Sequence, residues 1–341
     1  MAADPEAAKA TRVSRRDFLA ADVSAAPPEA DYWLRVHRRA MACRFEVTLG
    51  GEDADRVADA REALDEVDAI EAQLTVFRES SALVHVNRRA ADGPVPVSQD
   101  LFELLTLCRT LHDDTGGAFD VTSTPLSRCW GFLKRDGRLP RAAEIASARA
   151  CVGMHRVVLE GSGRTVRFAG AGTEVNLGAI GKGWALDAVA CGLRRRGVAC
   201  ALLSAGRSSV LAVGSRGRGW PIDLTSPRLD GRIARVYLRG GALGTSGAGE
   251  QFFEIEGRRY GHVLDPRTGW PAASGVLSAS VLASRAAVAD ALSTAFLVAG
   301  VHRAREYCAA HGGVMAVMSL DDRSGRPQVI GSADGAEVEI G

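Results

Sequence analysis

The chain has no excess of either charge, no long apolar run and no patterned cysteines, and each absence removes a class of function. Lys and Arg number 42 against 41 Asp and Glu, a formal net charge of +1 over 341 residues. Without a basic excess or stripe there is no electrostatic reason to expect nucleic acid as a partner. The one short basic run, LRRRG at 193–197, reads as a solvated helix end whose cations favour the helix C-terminus. No apolar run reaches about 18 residues, so no integral membrane segment is expected. Seven cysteines (Cys43, Cys108, Cys129, Cys151, Cys191, Cys200, Cys308) lack CxxC or CxxH spacing. That suits reduced thiols better than a disulfide framework or a zinc site. No Pro/Ser-rich linker divides the middle of the chain and no repeat array is present. P-loop spacing and the dinucleotide fingerprint are also missing, so nicotinamide chemistry is not supported. What remains is an ordinary globular composition, 46% hydrophobic and 24% charged, expected to form one domain over 31–341 with room for two lobes.

The first 30 residues read as a flexible leader. SRRDFLA at 14–20 matches the twin-arginine export pattern, but the next residues, ADVSAAPPEADYW, are too polar and too rich in proline for the apolar segment of about 7–15 residues that such a signal needs. The motif is therefore degenerate. Together with the odd cysteine count this favours the cytoplasm, with export across the cytoplasmic membrane as the alternative.

Hydrophobic periodicity predicts helices over 53–77, 99–112, 141–151 and 183–196. Residues 32–49 read as two strands broken near Arg39, and HRVVLEGSGRTVRFAG as a hairpin turning at GSGR. Strands then follow in succession: ALLSA, SVLAVG, WPIDLTS, ARVYLRG, QFFEIEG, RRYGHVLD and VLSASVLAS. An apolar helix containing AVADALSTAF, a helix over 302–311 and a last strand pair, VMAVMSL and PQVIGS, close the pattern. Helices early, strands in the middle and helices late argue an α+β fold with mixed or antiparallel sheets flanked by helices.

Several stretches carry residues suited to chemistry. In AVADALSTAF (287–296), Asp290, Ser293 and Thr294 share one face of an otherwise apolar helix. They are either satisfied among themselves or aimed at something that needs oxygen, such as a hard metal ion. EVNLGAIGKGWALD (174–187) places glycines between a strand and a helix, which suits either a close-approaching phosphate or a tight turn. YGHVLDPRTG (260–269) holds His262 three residues before Asp265, a pairing that can tune a general base or merely occupy a strand end. GTSG (244–247) offers two hydroxyls in a flexible turn. GGAFDVT (116–122) combines a turn, an aromatic residue and a carboxylate.

These stretches occur in order with MACRFEVTL, LTVFRESSALVHVN, TGGAFDVTSTPL with WGF, VNLGAIGKGWALD, LGTSG, GHVLDPRTGWP and ADALSTAF. The series resembles the successive motifs of the ApbE family, the FAD:protein FMN transferases, over nearly all of 33–320. The resemblance implies a magnesium-dependent transferase that cleaves FAD, joins FMN by a phosphoester to a Thr or Ser of an acceptor protein, and releases AMP. It implies metal ligation by Asp290, Thr294 and the backbone carbonyl of Ala179, with Ser293 standing where some members carry a further Asp. FAD contacts carry over to Met41, Phe77, Ala118, Phe119, Asp120, Asn176, Lys182 and His262. Phe77 and Phe119 would pack on rings, Asp120 would accept from ribose or adenine, and Lys182 would neutralise the diphosphate. His262 would also be the base that deprotonates the acceptor hydroxyl, with Asp265 as its orienter. Two departures, Asn176 for an Asp and Arg207 for a glycine, leave open a magnesium-dependent FAD pyrophosphatase yielding FMN and AMP, or a non-catalytic FAD-binding protein.

Overall fold

Runs such as ALLSA and SVLAV are apolar at successive positions, and the computed structural model shows both faces of their sheet covered. It describes residues 21–22, 32–226, 229–249, 251–322 and 324–341. Eight strands form one antiparallel sheet in chain order: Trp33–Ala40, Cys43–Gly50, Ala201–Ala205, Ser209–Val213, Gly241–Gly247, Val276–Ala283, Met315–Leu320 and Gln328–Gly331. Because successive side chains alternate between faces, Leu211 and Val213 join the larger core, which includes the helices, while Val210 and Ala212 join a second core. Trp220, Ile222, Val236 and Leu238 complete that second core. They belong to a four-stranded sheet formed by Ala21–Asp22, Trp220–Ser226, Leu229–Leu238 and Ala336–Ile340. The last of these strands was not expected; AEVEI is short, and its pairing with residues 234–238 supplies what its own pattern lacks.

Seven α-helices among the described residues are α1 (Val57–Leu74), α2 (Ala82–Arg89), α3 (Gln99–Asp114), α4 (Thr124–Cys129), α5 (Ala142–Arg149), α6 (Gly181–Arg195) and α7 (Ala286–Ala310). The fold is α+β, as expected. Helices α1, α6 and α7 put their apolar stripes into the larger core. The two C-terminal helices expected from the pattern are the two arms of α7, which is broken at Gly300, whose φ of 81° and ψ of −176° are not helical. There the Ser274 hydroxyl donates to the Leu297 carbonyl at 2.6 Å. A third, smaller core gathers Trp130, Phe132, Phe253, Tyr260 and Leu264 around the hairpin Phe252–Ile255 and Arg258–Gly261. The break expected near Arg39 falls instead at Met41 and Ala42, which form a tight turn with φ of 48° and 58°. SRRDFLA lies outside the described residues; of the leader, Ala21–Asp22 pair with Leu224 and Asp223. Among the described residues no helix is long and apolar enough to cross a membrane, and no disulfide joins the cysteines.

Candidate active site

The oxygen-bearing face of α7 is reached because two neighbours lack a side chain. A Cβ on Gly244 would fall 2.5 Å from the backbone carbon of Ala289, and one on Gly183 only 2.2 Å from the carbonyl oxygen of Ala286. Only glycine lets the strand Gly241–Gly247 and helix α6 approach α7 this closely. GTSG, expected as a flexible turn, therefore lies within a strand. Asp187, farther along α6, accepts from the amides of Ala286 and Ala287 at 2.7 and 3.1 Å and caps α7.

At the junction Asp290 is buried. One carboxylate oxygen accepts from the Ser209 hydroxyl at 2.7 Å and the other from the Gly183 amide at 2.8 Å. That amide is in the first turn of α6, among the donors that a helix start leaves without an intrahelical acceptor. The Ala179 carbonyl, just before the helix, has no backbone hydrogen bond among the described residues. Burial pushes the Asp290 carboxyl up to about 6, against the pull of Lys182 and the hydrogen bonds from Ser209 and Gly183. Ser246 shares hydrogen bonds with Ser293 at 2.8 Å and Thr294 at 3.1 Å. Both hydroxyls also donate to the Asp290 carbonyl, at 2.8 and 3.4 Å. Ser293 is buried and Thr294 is the more open of the two.

The donor set is thus a carboxylate, a carbonyl and hydroxyls, all oxygen, which fits a hard divalent cation that keeps waters and substrate oxygens in its shell. No group of three or more His, Cys, Asp and Glu side chains suited to a metal occurs among the described residues. Asp290 is the one carboxylate in this donor set.

Lys182, in the first turn of α6, donates to the Ser208 hydroxyl. The Ser208 carbonyl in turn accepts from the Thr245 amide at 2.7 Å. Before this helix, the Asn176 side chain accepts from the Gly178 amide at 2.9 Å, closing an Asx turn. Asn176 also lines a cleft of about 250 Å³ with Phe77, Thr124, Arg128 and Glu174. Phe77 is 85% exposed. Its neighbour Arg78 lines a second cleft of about 610 Å³ with Arg39, Ala42 and Arg44, beside Met41. The left-handed backbone of Met41 and Ala42 costs about 1 kcal/mol or more per residue.

Ala118, Phe119 and Asp120 are buried in the wall instead of standing on an open surface. One Asp120 oxygen accepts from the Thr122 amide at 2.8 Å and its hydroxyl at 2.6 Å. The other lies 3.3 Å from His112 Nδ1. Burial raises this carboxyl against the bonds from Thr122 and the charge of His112. The carboxylate expected to accept from ribose or adenine is turned inward here and orders the turn that carries it.

His262 Nδ1 lies 3.0 Å from the Gln251 carbonyl. A carbonyl only accepts, so Nδ1 carries the proton and the neutral ring keeps Nε2 as its basic nitrogen. Asp265 is not the orienter: its carboxylate accepts from the Arg267 guanidinium at 2.8 Å through each oxygen, and from the Arg267 amide at 2.9 Å. The hairpin is anchored beside the strand that bears Ser246, since a Cβ on Gly261 would lie 3.4 Å from the Ala248 carbonyl. Ser208 and Ser209 carried no motif-level signal, and Asp187, though it ends the motif at 174–187, was assigned no role. Ser209 could have been found by its period-2 relation to Leu211 and Val213, which face the helices.

Oxygen donors on one helix face, a lysine at the start of the adjoining helix and an imidazole tethered on the hairpin beside the neighbouring strand are the equipment of phosphoryl-group transfer, and in that class the fold and centre place the chain. The model of the ApbE family matches residues 41–318, and the chain belongs to that family. It is 31% identical over 276 residues to the FAD:protein FMN transferase of Klebsiella pneumoniae (strain 342), which covers 79% of each chain. To the FAD:protein FMN transferase of Treponema pallidum (strain Nichols) it is 32% identical over 287 residues, 78% of this chain and 79% of that one. Among solved structures, the ApbE protein of Thermotoga maritima matches with a TM-score of 0.80 and 28% identity, over 88% of this chain and 97% of that one. The flavin transferase ApbE of Vibrio cholerae matches at 0.78 and 25%, over 88% and 97%.

Proposed function

We propose that this protein is an FAD:protein FMN transferase that joins the FMN half of FAD to a Thr or Ser hydroxyl of an acceptor protein and releases AMP. The observation that carries the reading is the start of α6 meeting the oxygen-bearing face of α7, where the Gly183 amide donates to the buried Asp290 carboxylate and Ser246 joins Ser293 to Thr294, with the Ala179 carbonyl just before α6 bearing no backbone hydrogen bond among the described residues. Ala179, Asp290 and Thr294 would hold magnesium, with Ser293 supporting Thr294 through Ser246. When bound, the ion supplies neutralising charge to the diphosphate.

Lys182 binds the diphosphate, and the exposed Phe77 ring, Asn176 and the Met41 turn receive the two ring systems, with 118–120 as the wall behind them. The acceptor oxygen forms a bond to the FMN phosphorus as the bond from that phosphorus to the bridging oxygen breaks. The bridging oxygen leaves with AMP, and the acceptor proton passes to Nε2 of His262, whose ring the Gln251 carbonyl holds in place. A water in the acceptor's position would give FMN and AMP instead, and Asn176, less charged than an Asp, leaves that route open. Incubation with FAD, magnesium and a Thr-bearing peptide separates the two. Transfer gives one AMP per acceptor-bound FMN, whereas free FMN equal to the AMP marks a hydrolase. We place the protein in the cytoplasm, and recovery of the full chain outside the cytoplasmic membrane would reassign it to export.

A further inference from the structure

Arg207 stands at the tip of a three-residue loop, because strands Ala201–Ala205 and Ser209–Val213 pair up to Ala205 and Ser209. Its neighbours are engaged with the centre. Ser208 accepts from Lys182, and Ser209 donates to Asp290 at 2.7 Å. The Gly206 amide donates to the Arg44 carbonyl at 2.8 Å, tying the loop to the wall of the larger cleft. His37, Arg39, Arg44 and Arg78 line that cleft with a single carboxylate, Glu71. Arg207 itself is exposed and has no hydrogen bond or ion pair with any described residue.

A guanidinium without a carboxylate, one residue from the partner of Lys182, is placed to take an anion, and its planar fork suits two phosphate oxygens at once. We propose that Arg207 is a second phosphate-binding cation for the diphosphate of the dinucleotide, acting with Lys182 at the mouth of the basic cleft. The inference rests on FAD as substrate, and it makes the loop a determinant of affinity for the phosphates and not for the rings.

Quenching of flavin fluorescence tests it with FAD and riboflavin as probes, at low and high salt, on wild type, Arg207→Gln and Arg207→Lys. Arg207→Gln should weaken FAD binding about three- to tenfold, reduce its salt sensitivity and leave riboflavin binding and thermal unfolding unchanged. Arg207→Lys should restore part of the loss. FAD binding equal in wild type and Arg207→Gln overturns this inference alone, as does an equal loss for FAD and riboflavin, which would mark a structural role. A wild-type protein that binds no FAD overturns the transferase reading with it.

Discussion

Asp290 is a buried acid whose carboxyl stands at about 6 instead of its ordinary 3.8. The native state therefore holds that proton more tightly than the unfolded chain. The resulting stability is present below about pH 4 and lost as the pH rises through about 6, about 3 kcal/mol in total at 1.36 kcal/mol per tenfold. Asp290→Asn should remove this component. Urea unfolding at about pH 4 and about pH 7 should show wild-type stability falling relative to the variant, and a difference that stays flat would contradict the assignment. Magnesium should raise the melting temperature of wild type at about pH 7 and have little effect on Asp290→Asn, because a cation that binds only the folded carboxylate stabilises that state by mass action. His262 is argued to move a proton, so His262→Gln should lower kcat by about 10²–10⁴-fold while changing FAD affinity far less. Helical spacing alone put Asp290, Ser293 and Thr294 on one face, and their reading as metal ligands came from the family resemblance. The orienter of His262 could not be read from the sequence, because it is a backbone carbonyl from Gln251, which no side-chain pattern records.

At the level of elements, the centre depends on how closely α6 and the strand Gly241–Gly247 approach α7. Gly183→Ala and Gly244→Ala each place a methyl group against backbone. Each should cost about 1–3 kcal/mol in urea unfolding and depress turnover together with stability. Wild-type stability in either variant would show that the contact is not tight. Asp187→Ala removes the cap of α7 and should cost about 1 kcal/mol, with partial recovery in Asp187→Asn. Helix positions were readable because 3.6-residue periodicity is local: the sequence places α3 at 99–112 and the structure at Gln99–Asp114. GTSG misled because its glycines look like a turn, when Gly244 is there to admit a helix. Helices α2 and α4 were missed as short elements held mainly by their surroundings.

Across the whole molecule, the α+β class followed from the order of elements, but the sheet order did not, since antiparallel pairing of distant strands leaves no trace in any one strand's pattern. Nor could the sequence show that Ser209 and Ser246 meet α7 while Thr245 points the other way to Ser280. That follows from register, which only the assembled sheet fixes. The account's central claim joins this architecture to one reaction, and intact mass of a Thr-bearing acceptor after incubation with FAD and magnesium tests it directly. The wild-type protein should add one FMN unit to the acceptor, and Asp290→Ala, still folded by circular dichroism, should add none. An acceptor left at its original mass while FAD is consumed, or modified equally well by Asp290→Ala, would contradict it.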